Sequence, residues 1–193
     1  MVQSGKQRKI ITPTNRATLR KWFEDNHTSS ESVWLIIKKK NSKIRGISLN
    51  DAVEEALCFG WIDSRLNILD DKRYKLLFSP RKSKSIWSKT NKLKVERLIH
   101  QGLMTEAGFE KIDAAKKDGS WDTLDSIEDL MIPVDLQKAL DDNPIARKNF
   151  VRFSDSLKKR ILYWIQSAKQ AQTRLKRIRQ TVAIAEKNDK KSL

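Results

Sequence analysis

Apolar positions along the chain fall into two spacings, and each change of spacing marks an element. Leu19, Trp22 and Phe23 recur at i, i+3, i+4, which predicts a helix beginning near Thr14. Val33, Trp34, Leu35, Ile36 and Ile37 form an unbroken apolar run, read as a strand over Val33–Lys39. Ser48 and Asp51 have the spacing of a capping box, with Asp in the usual Glu or Gln place. The helix they open carries Val53, Ala56 and Leu57, and Gly60 is a natural stop. Trp61–Leu69 and Lys72–Phe78 read as two strands joined by Asp70 and Asp71, with Pro80 closing the second. A basic, Ser-rich loop follows over 81–86. The next helix places Val95, Leu98 and Ile99 on one face, and another opens at Thr105 and stops at Gly119.

Past Trp121 the pattern is acidic and loop-like to Ile132. Pro133 and Pro144 suit first-turn helix positions. Ser154 caps a helix with Leu157, Ile161, Trp164, Ile165 and Ala168 inward, and a last helix carries Leu175, Ile178, Val182 and Ala185. The expected fold is therefore α+β: a small antiparallel sheet of about three strands packed by helices, then an all-helical C-terminal third. The expected division is 1–120 for the α+β core and 121–193 for the helical region. Residues 1–11 read as a loose basic arm, and 187–193 as a fraying end.

Composition narrows the function classes. Cys58 is the only cysteine, so an intrachain disulfide and a cysteine-based zinc cage are both excluded. Flanked by Leu57 and Phe59, Cys58 reads as core rather than as a nucleophile. His27 and His100 are far apart and read as polar residues at helix ends, which leaves no Ser–His–Asp triad. The glycines form no phosphate-cradling loop, and no cofactor or metal motif is present. There is no apolar leader and no apolar run long enough to span a membrane, so the expected setting is cytoplasmic.

The net charge of +16 adds an expectation of polyanionic or anionic partners. It is concentrated in three runs: Lys38 to Arg45, Lys72 to Arg97, and Lys158 to Arg179. Residues 106–142 are acidic in contrast. Arg174, Lys176, Arg177 and Arg179 stand opposite the apolar stripe of the last helix. They read either as a solvated face or as a surface for weak, salt-dependent nucleic-acid binding.

The densest chemistry lies at one end of the expected hairpin. Asp63 begins one strand and Arg81 follows the end of its partner, so the two are expected side by side. Ser64, Ser85, Trp87, Ser88 and Asn91 arrive from the same strand and from the following loop and helix. An arginine fork beside a helix N-terminus suits a small anionic ligand. The same residues also fit a purely structural salt bridge with an N-cap and core tryptophans. Three function classes stay open: a binding or regulatory protein with a small anionic ligand, a nucleic-acid binder, and an enzyme of unknown reaction using Asp63 and Arg81. Catalytic residues and oligomeric state are left open.

The motifs EALCFGWIDS, LDDxxYxxxFSPRKxxSxWSxxN, RLIxxGxMxxAG and AKxxGxW, followed by WIxxAKxxxTR, resemble the YdeI/OmpD-associated proteins of bacteria, also called bacteriocin-protection proteins. The resemblance runs from about Trp22 to Ile178. It implies a cytoplasmic protein linked to stress or bacteriocin tolerance, and it brings no catalytic residue with it. The family pattern coincides with the hairpin cluster at Gly60, Trp61, Asp63, Phe78, Pro80, Arg81, Ser85, Trp87, Ser88 and Asn91. The chain departs from it at Ala171 and Gln172, where a Glu is expected before Thr173.

Overall fold

The computed structural model describes residues 8–29 and 31–189. The chain divides into two compact units on either side of the Trp121–Asp122 bond.

The first unit is α+β. In order it contains β1 (Ile10–Ile11), α1 (Arg16–Asn26), β2 (Val33–Lys38), α2 (Leu49–Cys58), β3 (Trp61–Ile68), β4 (Arg73–Pro80), α3 (Lys89–His100) and α4 (Glu106–Asp118). The sheet order is β1-β2-β4-β3. β2 and β3 both run antiparallel to β4, whereas β1 lies parallel to β2. The expectation of three antiparallel strands is therefore corrected to a mixed sheet of four. The added strand is Ile10–Ile11, from the segment read as a loose arm. Its pairing of Ile10 with Trp34 and Ile11 with Leu35 is tertiary, and two residues carry too little periodicity to announce it. Residues 1–7 of that arm lie outside the described residues.

The hairpin turn works without glycine because Asp70 supplies the bonds. Its Oδ1 accepts from the backbone N–H of Lys72 at 2.8 Å and of Arg73 at 2.7 Å, and the Arg73 guanidinium grips Oδ2. At the other end Trp61 pairs with Pro80 and Asp63 with Phe78. Between Asp63 and Leu66 the register slips by one residue, a bulge that falls at Ser64 and Arg65. By strand alternation, Trp61 and Asp63 share the face of Tyr74, Leu76 and Phe78 on β4 and of Val33, Leu35 and Ile37 on β2. This face carries the core. Leu19 and Phe23 reach it from α1, Ala52, Ala56 and Leu57 from α2, and Val95 and Leu98 from α3. Asp63 is thus a carboxylate on the core-facing side of the sheet.

Among the described residues the second unit is helical throughout. It contains α5 (Asp125–Glu128), α6 (Val134–Asp141), α7 (Pro144–Val151), α8 (Asp155–Gln166) and α9 (Ala171–Glu186). The short α5 interrupts the acidic stretch read as loop. Leu136, Leu140, Phe150, Ile161, Ile165 and Ile178 are among the residues of its separate core. Among the described residues no helix is long and apolar enough to cross a membrane.

Candidate functional site

Two helices of the first unit begin at the same concavity. Ser48 caps α2, its Oγ accepting from Asp51 N at 3.1 Å. Ser88 caps α3, its Oγ accepting from Asn91 N at 3.3 Å. Both caps line a cleft of about 750 Å³, together with Asn50, Thr90 and Asn91 from the first turns. Leu49 and Val53 give it apolar surface. Asp63 and Tyr74 reach it from the sheet, and Lys38, Lys40 and Lys94 add cationic groups. The first turn of α3 carries no acid, so its positive dipole end is not neutralised locally. Burial, and then the charge of Asp63, push the Tyr74 phenol above its ordinary value. That keeps it a neutral donor. The cleft therefore offers three ammonium groups against one carboxylate, several neutral donors and an apolar wall.

Beside the cleft lies a pair of buried carboxylates that sequence reasoning did not single out. Glu54 and Glu55 are 2% and 1% exposed. Arg16 binds both, its Nη1 donating to Glu54 at 2.8 Å. Arg20 holds Glu55 at 3.1 Å, and Arg97 also donates to Glu54. Lys94, a cleft residue, lies 3.5 Å from Glu54 and donates to Asn50. Burial pushes the Glu54 carboxyl up. Hydrogen bonds from Asn50 and Arg97 and the charge of Arg97 more than offset this, leaving it below the ordinary range. The network thereby fixes Asn50 and Lys94 at the cleft wall. The available signal was Glu55, three residues after Ala52 and so on the face of α2 that carries it, whereas Glu54 stands off that face.

The expected cluster is divided between two cavities. Asp63, Ser88 and Asn91 line the cleft, whereas Arg81, Ser85 and Trp87 line a separate pocket of about 100 Å³. Asp63 and Arg81 form no ion pair among the described residues, though the Asp63 charge still acts on Arg81. Ser64 lines neither cavity, because the bulge leaves it exposed with its hydroxyl on Leu77 O at 3.3 Å. Arg81 itself is 3% exposed. Its backbone N–H donates to Gly60 O at 2.9 Å, and its guanidinium stacks 3.6 Å from the Trp87 ring centroid. Nη1 makes two long contacts, 3.4 Å each, to Ser85 Oγ and Ile86 O. Nε and Nη2 are buried without a hydrogen-bond partner.

The remaining candidates take structural places. Cys58 is buried, and burial first, then the Glu55 charge, push its thiol up to about 11. His27 Nδ1 lies 2.9 Å from Phe23 O at the end of α1. On the basic face of α9, Arg174 grips Asp135 at 2.6 and 2.9 Å, and Arg177 binds Ser167 Oγ at 3.0 Å and Trp164 O. These two guanidiniums are engaged within the second unit. Among the described residues, no group of three or more His, Cys, Asp or Glu side chains could hold a metal ion.

Comparison with known families divides the chain much as the fold does. Residues 11–111, just over half the chain, match a family described as Domain of unknown function (DUF8412). Residues 129–188 match the family described as Bacteriocin-protection, YdeI or OmpD-Associated. No curated protein and no solved structure matches the chain. The first match contains every lining residue of the cleft. The second lies within the helical unit and bears out the family resemblance read from the sequence over 129–188, the stretch where WIxxAKxxxTR, one of its motifs, falls. The chain thus belongs to the DUF8412 family, and its residues 129–188 are similar to the bacteriocin-protection, YdeI or OmpD-associated family.

Proposed function

We propose that the first unit binds a small anionic, partly apolar ligand in the cleft between the N-termini of α2 and α3. The observation that carries this reading is the convergence of two helix N-termini with Lys38, Lys40 and Lys94 on one concavity of ligand size. Lys38 and Lys40 attract the anion, and the Asn91 amide and Thr90 hydroxyl orient it. Leu49 and Val53 pack its apolar part. The neutral Tyr74 phenol donates a hydrogen bond, and Asp63 selects against a second negative charge at the sheet side. Binding would act in the bacteriocin protection that the description of the second matched family names.

The test is calorimetric titration of the full chain against a panel of small phosphates and carboxylates. The expected result is binding that weakens about tenfold or more in Lys38→Ala/Lys40→Ala and in Asn91→Ala. A panel without a binder, or a binder indifferent to all these substitutions, would remove the cleft from consideration.

A further inference from the structure

Arg81 presents a problem that the cleft does not solve. A guanidinium is nearly always charged, and a charge withdrawn from water requires a partner. Arg81 is 3% exposed, and two of its nitrogens, Nε and Nη2, have none. These two nitrogens form one edge of the guanidinium, the side-on fork that meets two oxygens in parallel. Trp87 covers a face of the same group at 3.6 Å, while Nη1 is taken up by Ser85 and Ile86. The unpartnered edge is therefore the one whose geometry suits an oxyanion.

The pocket lined by Arg81 agrees in charge and size. Lys82, Lys84 and Lys111 line it with Arg81, against the single carboxylate of Asp118. That carboxylate is already committed, accepting from Lys84 N and Ser120 N at 2.9 Å each. The buried Ser120 hydroxyl lies beside Asp118 and, with the backbone N–H groups of Ser120 and Lys84, holds its carboxyl low. It has no other partner. At about 100 Å³ the space is well below the 300–1,000 Å³ of drug-sized ligands. Burial also pushes Arg81 down to about 10, against the opposing pull of Asp63, so the existing surroundings do not compensate its charge.

We infer that the pocket formed by Arg81, Trp87, Ser120 and the 82–85 loop is a binding site for a small oxyanion group of the phosphate or sulfate type, separate from the cleft. The Arg81 fork takes two oxygens, Ser120 Oγ reaches a third, and Lys82, Lys84 and Lys111 supply the attracting field. The group is either a free ion or the terminal phosphate of a monoester.

The decisive experiment titrates the full chain, in chloride buffer, with inorganic phosphate, sulfate and glycerol phosphate. Melting temperature and the Arg81 Nε–Hε resonance are followed together. Phosphate or sulfate is expected to move that resonance and raise the melting temperature. In a Lys38→Ala/Lys40→Ala/Asn91→Ala background, which weakens anion binding in the cleft, the affinity should fall about tenfold in Arg81→Lys, which keeps charge without the fork, and the melting response should vanish in Arg81→Met. That background should leave the shift of the Arg81 resonance intact, so failure here and failure of the cleft reading are distinguishable. Tighter binding of glycerol phosphate than of phosphate would identify a monoester as the source, and the reverse a free ion. The inference is overturned if none of the three anions moves the Arg81 resonance in the wild type. An equal anion response of Arg81→Met in the cleft-substituted background would overturn it as well. If Arg81→Met does not fold, the wild-type resonance decides alone.

Discussion

Asp63 and Arg81 leave the same end of the β3–β4 hairpin for different cavities, Asp63 for the cleft and Arg81 for the small pocket. Their coupling is therefore expected to be small. In a double-mutant cycle of Asp63→Asn and Arg81→Lys, urea denaturation should give an interaction energy below about 1 kcal/mol. A direct buried ion pair would instead cost about 3–5 kcal/mol on losing one partner. A coupling of that size would rejoin the two residues into one site.

The Glu54 network should make stability depend on acid pH. Its folded carboxyl lies below the ordinary 4.5, so its contribution is fully present above that value and is lost as pH falls through the folded one. Glu54→Gln should cost roughly 1–3 kcal/mol at neutral pH, since Arg16 and Arg97 lose their counter-charge. Denaturation across the acid range should show the wild type losing this advantage below about pH 4.5 and the two proteins converging. A mutant curve parallel to wild type throughout would contradict the assignment.

Gly108 offers a test of sign. It lies inside α4, where alanine is the better helix former by about 1 kcal/mol. Yet a Cβ there would collide with the Cys58 carbonyl oxygen and Met104 Sδ, where α4 closes onto the end of α2. Thr105 ties the same carbonyl with its hydroxyl at 2.6 Å. Overcrowding of this kind costs about 1–3 kcal/mol, so Gly108→Ala should lower the melting temperature. A rise would mean that the helices separate easily.

Cys58 should behave as an inert thiol. Raised to about 11 and buried, it is protonated near neutral pH. A disulfide-exchange reagent should label it only in denaturant, with one thiol per chain then released. Rapid labelling of the native protein would point to opening between α2 and α4.

The sequence was most legible where one element carries its own signal. The apolar run of β2, the Asp70 turn and the Ser48 and Ser88 caps are local features, and they predict strands and helix starts closely. β1 is not local: Ile10 and Ile11 become a strand only through Trp34 and Leu35. The arrival of Asp63, Ser88 and Asn91 at a common place followed from the hairpin end. Arg81 went elsewhere because β4 extends to Pro80, Arg81 N then bonds Gly60 O, and Trp87 offers its ring as a platform. Lys38, Lys40, Tyr74 and Lys94 come from β2, the chain just after it, β4 and α3. Their meeting depends on strand order, which no local pattern encodes.

The bulge at Ser64 and Arg65 also governs how the sheet ends. β3 is one outer strand and the two-residue β1 the other. A strand with free N–H and C=O groups invites a foreign strand to add on, and long straight edges invite it most. Here, among the described residues, one border is too short to template a ladder, and the other is broken midway by an extra residue that interrupts its register. Leu66 and Ile68 can therefore stand exposed on that border without offering a neighbouring chain a continuous hydrogen-bonding rail, a protection against self-assembly into extended sheets.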